Sequence, residues 1–298
     1  MLEFKEEKDI DELEKYIEKD SNDIPSIYYI NTDVIDNFLK DEIVFTPFVG
    51  RVKYEKNSDK RKEYFFDKID ATEYRDKIKE KILKVKDNIK DINIFKNKFK
   101  EFKKSYSSVI PSELINKAML IKDNNPEYTK DIGKFLFENG IILFVEELPD
   151  KDWERLDGFS CFFNDYPVIV IYEQIDKRRM LFTIMHEVYH LIYNENEDNA
   201  DKFAGCSLLT IKDLKKEYGK DYIHTMKEDE NNENYKNIAK NLCNKYYISV
   251  EAATNTLKNY NILNKDMEEY KPYFREIRVE VQDNSSEIQI KPIYDFID

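Results

Sequence analysis

Cysteine, histidine and tryptophan are scarce in this chain: three, three and one among 298 residues. Cys161, Cys206 and Cys243 are odd in number and far apart, which excludes a disulfide framework and predicts reduced thiols in a cytoplasm. Cys161 and Cys206 lie in apolar surroundings and read as core fillers. Long hydrophobic runs are lacking as well. No window approaches the roughly 18 apolar residues of a membrane span, and Met1 to Lys8 has no apolar segment of signal-peptide type. Positive charge is in deficit, with 48 Lys and Arg against 61 Asp and Glu, a net charge of -13. That is the wrong sign for a protein whose main partner is nucleic acid, because such affinity rests on neutralising phosphates. What remains is a chain with 41% hydrophobic residues, long enough to build a sizeable core and more than one domain.

Two of the three histidines fall in one pentapeptide, His186-Glu187-Val188-Tyr189-His190. At this composition a chance His-Glu-x-x-His has an expectation on the order of 0.003 per chain, so the spacing is read as chemistry. Residues four apart on a helix share a face, and both imidazoles can reach one Zn²⁺ at about 2.0 to 2.1 Å. Glu187, about 100° round the helix, cannot join them as a ligand but can touch a water held there, as a general base does. Leu181, Ile184, Met185, Val188, Leu191 and Ile192 form a stripe at helical spacing, flanked by Phe182, Tyr189 and Tyr193, so this helix belongs in the middle of a domain. Two core histidines satisfied by hydrogen bonds are the plainer alternative. A buried helix would carry leucine at such positions more cheaply.

A catalytic zinc takes three protein ligands and keeps a fourth position for water. The stretch Glu195-Asn196-Glu197-Asp198-Asn199-Ala200-Asp201 follows at once and opens a second helix with a buried stripe of Ala200, Phe203, Ala204 and Leu208. Glu197 and Asp201, four apart, share a face: one can bind the metal while the other takes the free N-H of a ligating histidine. Glu195 is the alternative ligand.

The run Arg179 to His190, then Glu197, Ala200, Asp201, Phe203, Ala204, Leu208 and Leu209, resembles the ImmA/IrrE family of metallopeptidases. So do Asn139 to Phe144, Asp157-Gly158-Phe159-Ser160 and Pro167 to Ile171 upstream, and Ile238 to Lys240 and Ile248 to Leu257 downstream, over roughly residues 126 to 264. The resemblance implies an α+β fold with a mainly helical, zincin-like core and a small sheet. It implies His186, His190 and Glu197 as zinc ligands and Glu187 as base, and with Glu197 on the metal the shared helical face leaves Asp201 behind a histidine. Members of that family are typically intracellular, often encoded by phages and mobile elements, and several cleave a helix-turn-helix repressor. The expectation is thus a cytoplasmic zinc endopeptidase acting on such a repressor. A zinc-binding protein that sequesters a partner without cutting it shares every ligand but not the dependence on Glu187.

Three regions are expected: a mainly helical, charge-rich 1–110 without a chemical motif, a metallopeptidase core over 111–230, and helices with a closing β-hairpin over 231–298. Within the first, Ile43 to Val49 reads as a strand. Residues 73–105 read as one lysine-rich helix whose seam, Ile78, Ile82, Val85, Ile89, Ile92 and Phe99, suits a protein partner better than a nucleic acid. In the core, strands are expected at 141–145, 159–163 and 168–172. Gly158, Phe159 and Ser160 start the candidate edge strand along which an extended substrate would lie. The hairpin rests on Ile277, Val279 and Val281 alternating with charges before Asp283-Asn284-Ser285-Ser286, then Ile288 and Ile290. Helices at 236–246 and 249–259 have few basic residues and should pack on the core rather than read DNA. For the oxyanion, His224, Tyr218 and Tyr193 are the candidates.

Overall fold

The computed structural model describes residues 80–85, 87–89, 92–107, 113–147, 157–163, 166–173, 176–193, 197–225, 233–263, 267–281 and 287–297, with the short antiparallel pair 18–19 and 28–29. The strand expected at 43–49 and the alternative ligand Glu195 lie outside these residues.

After a helical stretch at 80–85 come α1 (Ile92–Tyr106), α2 (Leu114–Asn124) and α3 (Ile132–Glu138). Strands β1 (Ile142–Glu146), β2 (Gly158–Phe163) and β3 (Tyr166–Tyr172) follow. The rest is helical: α4 (Lys177–Tyr193), α5 (Glu197–Leu208), α6 (Ile211–Thr225), α7 (Glu233–Tyr246), α8 (Val250–Asn259) and α9 (Met267–Glu280), with a final 3-10 turn at Ile293–Asp295. The fold is α+β, mostly helix around one small sheet. No described helix is long and apolar enough to cross a membrane.

The sheet order is β1-β3-β2, with β1 parallel and β2 antiparallel to β3. Tyr-Pro-Val-Ile-Val-Ile-Tyr is apolar throughout, as a strand covered on both faces must be, and every residue of β3 is buried. Its alternation splits the core. Val168, Val170 and Tyr172 pack with Ile142 and Phe144 against Ile82, Val85, Phe95 and Ile293. Ile169 and Ile171 pack with Leu143 against α4 through Leu181, Ile184, Met185 and Val188. The sheet therefore seats α4 on one face, and β2 stands at the end of the order beside it.

That arrangement corrects the reading of residues 73–105. Ile89 is not helical, so the stretch is not one continuous helix. Of its seam, Ile82, Val85 and Phe99 are buried in the chain's own core, and along α1 Phe95 packs on Phe137, Phe99 on Phe162 and Phe102 on Phe135. The main core runs from Phe99 to Ile288, crossing both residue 110 and residue 230.

The closing hairpin is also corrected. Residues 267–280 form a helix, with Tyr270, Phe274 and Ile277 on its buried face and Val279 82% exposed. Helical spacing from Tyr270 prevailed over a short alternation at 277–281 that one buried residue cannot sustain as a strand. Gln289 instead bridges Asp131, and the segment crosses α3 so closely that a Cβ at Gly133 would lie 2.0 Å from the Lys291 carbonyl oxygen. Helices α7 and α8 bury Ile238, Ala239, Leu242, Ala253 and Leu257 in the main core, as expected of packing helices. Gly205 lets α8 lie against α5: a Cβ there would meet Thr256 Oγ1 at 2.3 Å.

Candidate metal centre

Helix α4 carries no glycine or proline in Lys-Arg-Arg-Met-Leu-Phe-Thr-Ile-Met-His-Glu-Val-Tyr-His-Leu-Ile-Tyr, and its start is held by Arg179, which grips Asp157 through Nε at 2.8 Å. Ten of its side chains are buried, and His186 and His190 lie at the border of that face with side chains 13% and 22% exposed. One turn apart, the two rings present Nε2 atoms 3.0 Å from each other.

Helix α5 brings the carboxylates. Glu197, its first residue, places Oε2 3.1 Å from His186 Nε2 and Oε1 3.6 Å from His190 Nε2. Asp201, one turn on, places Oδ1 2.9 Å from His186 Nδ1, the other side of that ring. In this geometry Glu197 faces the Nε2 pair, and Asp201 stands behind His186. Small residues at Ala200 and Ala204, both fully buried, allow α5 this close approach to α4.

The donor set suits a cation. Two nitrogens each about 2.0 to 2.1 Å from a tetrahedral zinc stand about 3.4 Å apart, close to the spacing here. The ligand atoms of His186, His190 and Glu197 all lie within 4.8 Å of one another, so the group can hold a metal ion. Asp201 on Nδ1 fixes the tautomer that turns the Nε2 lone pair of His186 inward. Burial pulls the His186 imidazole down, but hydrogen bonds to Asp201 and Glu197, with the charges of Glu187 and Glu197, outweigh it and push it up to about 10. Without a cation, these carboxylates bind a proton in its place.

Glu187 does not join the ligand group. It is buried, and its Oε2 accepts a hydrogen bond of 2.8 Å from Ser160 Oγ on β2. Gly158 makes this contact possible, since a Cβ there would stand 2.7 Å from Val170 O and 3.0 Å from Thr183 Cγ2. Strand alternation puts Gly158, Ser160 and Phe162 on the α4 side and Phe159 on the other. Of the three residues expected to line the substrate, Ser160 has its hydroxyl on the Glu187 carboxylate.

Among the oxyanion candidates, Tyr193 is turned away: its hydroxyl donates to the Tyr106 carbonyl at 2.8 Å, while its ring stacks on Tyr189. Tyr218 is partly buried against the core on α6. His224 is also on α6, and its side chain is not among those described. Two neighbours of the site escaped the sequence reading. Tyr106 and Lys103 belong to α1, where no motif pointed to chemistry, yet Lys103 Nζ donates to the carbonyl of Leu191, the residue after His190, at 3.3 Å. Only packing of α1 on α4 could have found them.

No protein-family model matches this chain, and no curated protein or solved structure is significantly similar to it.

Proposed function

We propose that this chain is an intracellular zinc-dependent endopeptidase with a zincin-like core, acting on a specific protein such as a helix-turn-helix repressor of a phage or mobile element. Its resemblance to the ImmA/IrrE family implies as much. One observation carries the reading beyond that resemblance: a three-residue ligand group lies beside a buried carboxylate that belongs to no ligand pair and is oriented by a serine on the edge strand. A structural zinc site has no use for such a carboxylate, whereas hydrolysis requires a base.

Zinc held by His186, His190 and Glu197 would supply a water with its pKa lowered to about 7 and a Lewis acid for the scissile carbonyl. Glu187 takes the proton and returns it to the leaving amine. Ser160 keeps the Glu187 carboxylate in one rotamer by donating to Oε2, which orients the remaining lone pairs. The peptide lies extended along β2, whose main chain holds it in register across the centre. Net charge of -13 speaks against nucleic acid as the substrate.

Glu187→Gln preserves side-chain size and all three ligands, so zinc content and folding are retained while the base is lost. Cleavage of a co-expressed helix-turn-helix partner, followed by mass spectrometry, should fall by about 10²- to 10⁴-fold. An intact partner with both versions, regulated equally by each, would instead make sequestration the function.

A further inference from the structure

Strand β2 and helix α4 run side by side in the same direction, and their repeats match. Two strand residues advance about 6.6 Å and four helix residues about 6 Å. Gly158 accordingly lies against Thr183, and Ser160 bonds Glu187. The next step pairs the level of Phe162 with that of Leu191, one turn beyond the base and just past His190. Phe162 is 40% exposed at this point, with Phe99 of α1 packed on it at 5.7 Å between ring centroids.

Lys103 stands four residues after Phe99, on the same face of α1. Its Nζ lies 5.9 Å from the centroid of the Phe162 ring and 3.3 Å from the Leu191 carbonyl. Among the described residues no carboxylate pairs with it, in a chain that has 61 acidic residues. Burial holds its ammonium below the usual lysine range, with no acid to raise it again. A helix C-terminus accounts for one of its three donors. Nothing described in the fold accounts for a partly desolvated cation directed over an exposed aromatic ring at the end of an edge strand.

We propose that Lys103, with Phe162 as its floor, forms a specificity subsite for an acidic side chain, Asp or Glu, two residues along the bound peptide from the residue opposite Ser160. The inference rests on the endopeptidase reading and names a substrate feature for that same site. Glu187, Glu197 and Asp201 bring three negative charges to the centre, of which a bound zinc ion would offset two, so an acidic side chain of the peptide gains from a further fixed cation nearby. Lys103 is the half-buried cation placed to do so, and an ion pair formed over an aromatic surface is stronger than one in open water.

The test is cleavage profiling of a defined synthetic peptide library by the zinc-loaded full chain, comparing wild type with Lys103→Gln, Lys103→Arg and Lys103→Glu. Glutamine retains a donor for the Leu191 carbonyl while removing the charge, so it separates capping from recognition. Wild type and Lys103→Arg should enrich Asp and Glu at one position near the cleaved bond by about tenfold, the effect expected of one well-placed ion pair. Lys103→Gln should flatten that preference while cleaving neutral peptides at the wild-type rate, and Lys103→Glu should shift it to Lys and Arg. Cleavage without any acidic preference, or an equal loss on acidic and neutral peptides in Lys103→Gln, overturns the subsite alone. Failure of the zinc-loaded wild type to cut any library member overturns the endopeptidase reading and the subsite with it.

Discussion

Asp201 and Glu197 are both acids on the first two turns of one helix, yet they reach His186 through opposite ring nitrogens. Their roles should separate on mutation. Glu197→Ala removes one member of the group that can hold a metal ion and should weaken zinc retention by at least about tenfold, and by more than Glu195→Ala does, because only Glu197 has Asp201 one turn on. Competition titrations with a chromophoric chelator measure both; the reverse order would move the ligand to Glu195. The same residues set the pH dependence. In the metal-free protein the His186 imidazole is raised from 6.5 to about 10, so its proton stabilises the fold fully below 6.5 and that contribution is lost as pH rises through about 10. Zinc must displace this proton. Apparent zinc affinity should therefore climb by up to about tenfold per pH unit between 6.5 and 8.5, and a flat profile there would show that His186 is already neutral. The pairing of His186 with His190, and of Glu197 with Asp201, was legible because a four-residue spacing fixes a shared helical face. The Ser160 to Glu187 bond and the commitment of Tyr193 to Tyr106 were not, since both depend on which strand or helix lies opposite.

Elements with a single strong period were legible to within a few residues. The apolar run of β3, the stripe of α4 and the helices α7 and α8 each have one pattern and no competitor. Residues 267–281 carry two patterns, and the longer one, through Tyr270, Phe274 and Ile277, prevailed. The segment after it illustrates why: Ile288 is buried not by a hairpin partner but by crossing α3, which a local alternation cannot reveal. Gly133 tests that crossing. The Lys291 carbonyl is backbone and has little room to yield, so Gly133→Ala should destabilise the protein by about 1–3 kcal/mol in denaturant unfolding. A neutral substitution would mean that the terminal segment does not lie across α3.

At the scale of the whole molecule, the sheet divides the core so that one face packs on Ile82, Val85 and Phe95 and the other on α4. The expected region 1–110 thus contributes its last part to the wall of the site, which charge composition alone could not disclose. Lysines 96, 98, 100, 103 and 104 alternate along α1 with phenylalanines at 95, 99 and 102, and those phenylalanines are buried within the chain itself. Composition did delimit the rest: an acidic chain with few cysteines and no long apolar run is built around an acid-rich centre on a helical scaffold.

The central claim is that His186, His190 and Glu197 together hold one zinc ion. Elemental analysis of the purified full chain should find about one zinc per molecule, and the His186→Ala/His190→Ala double variant, checked by circular dichroism for retained helix, should hold essentially none. Full metal content in that folded double variant would contradict the account.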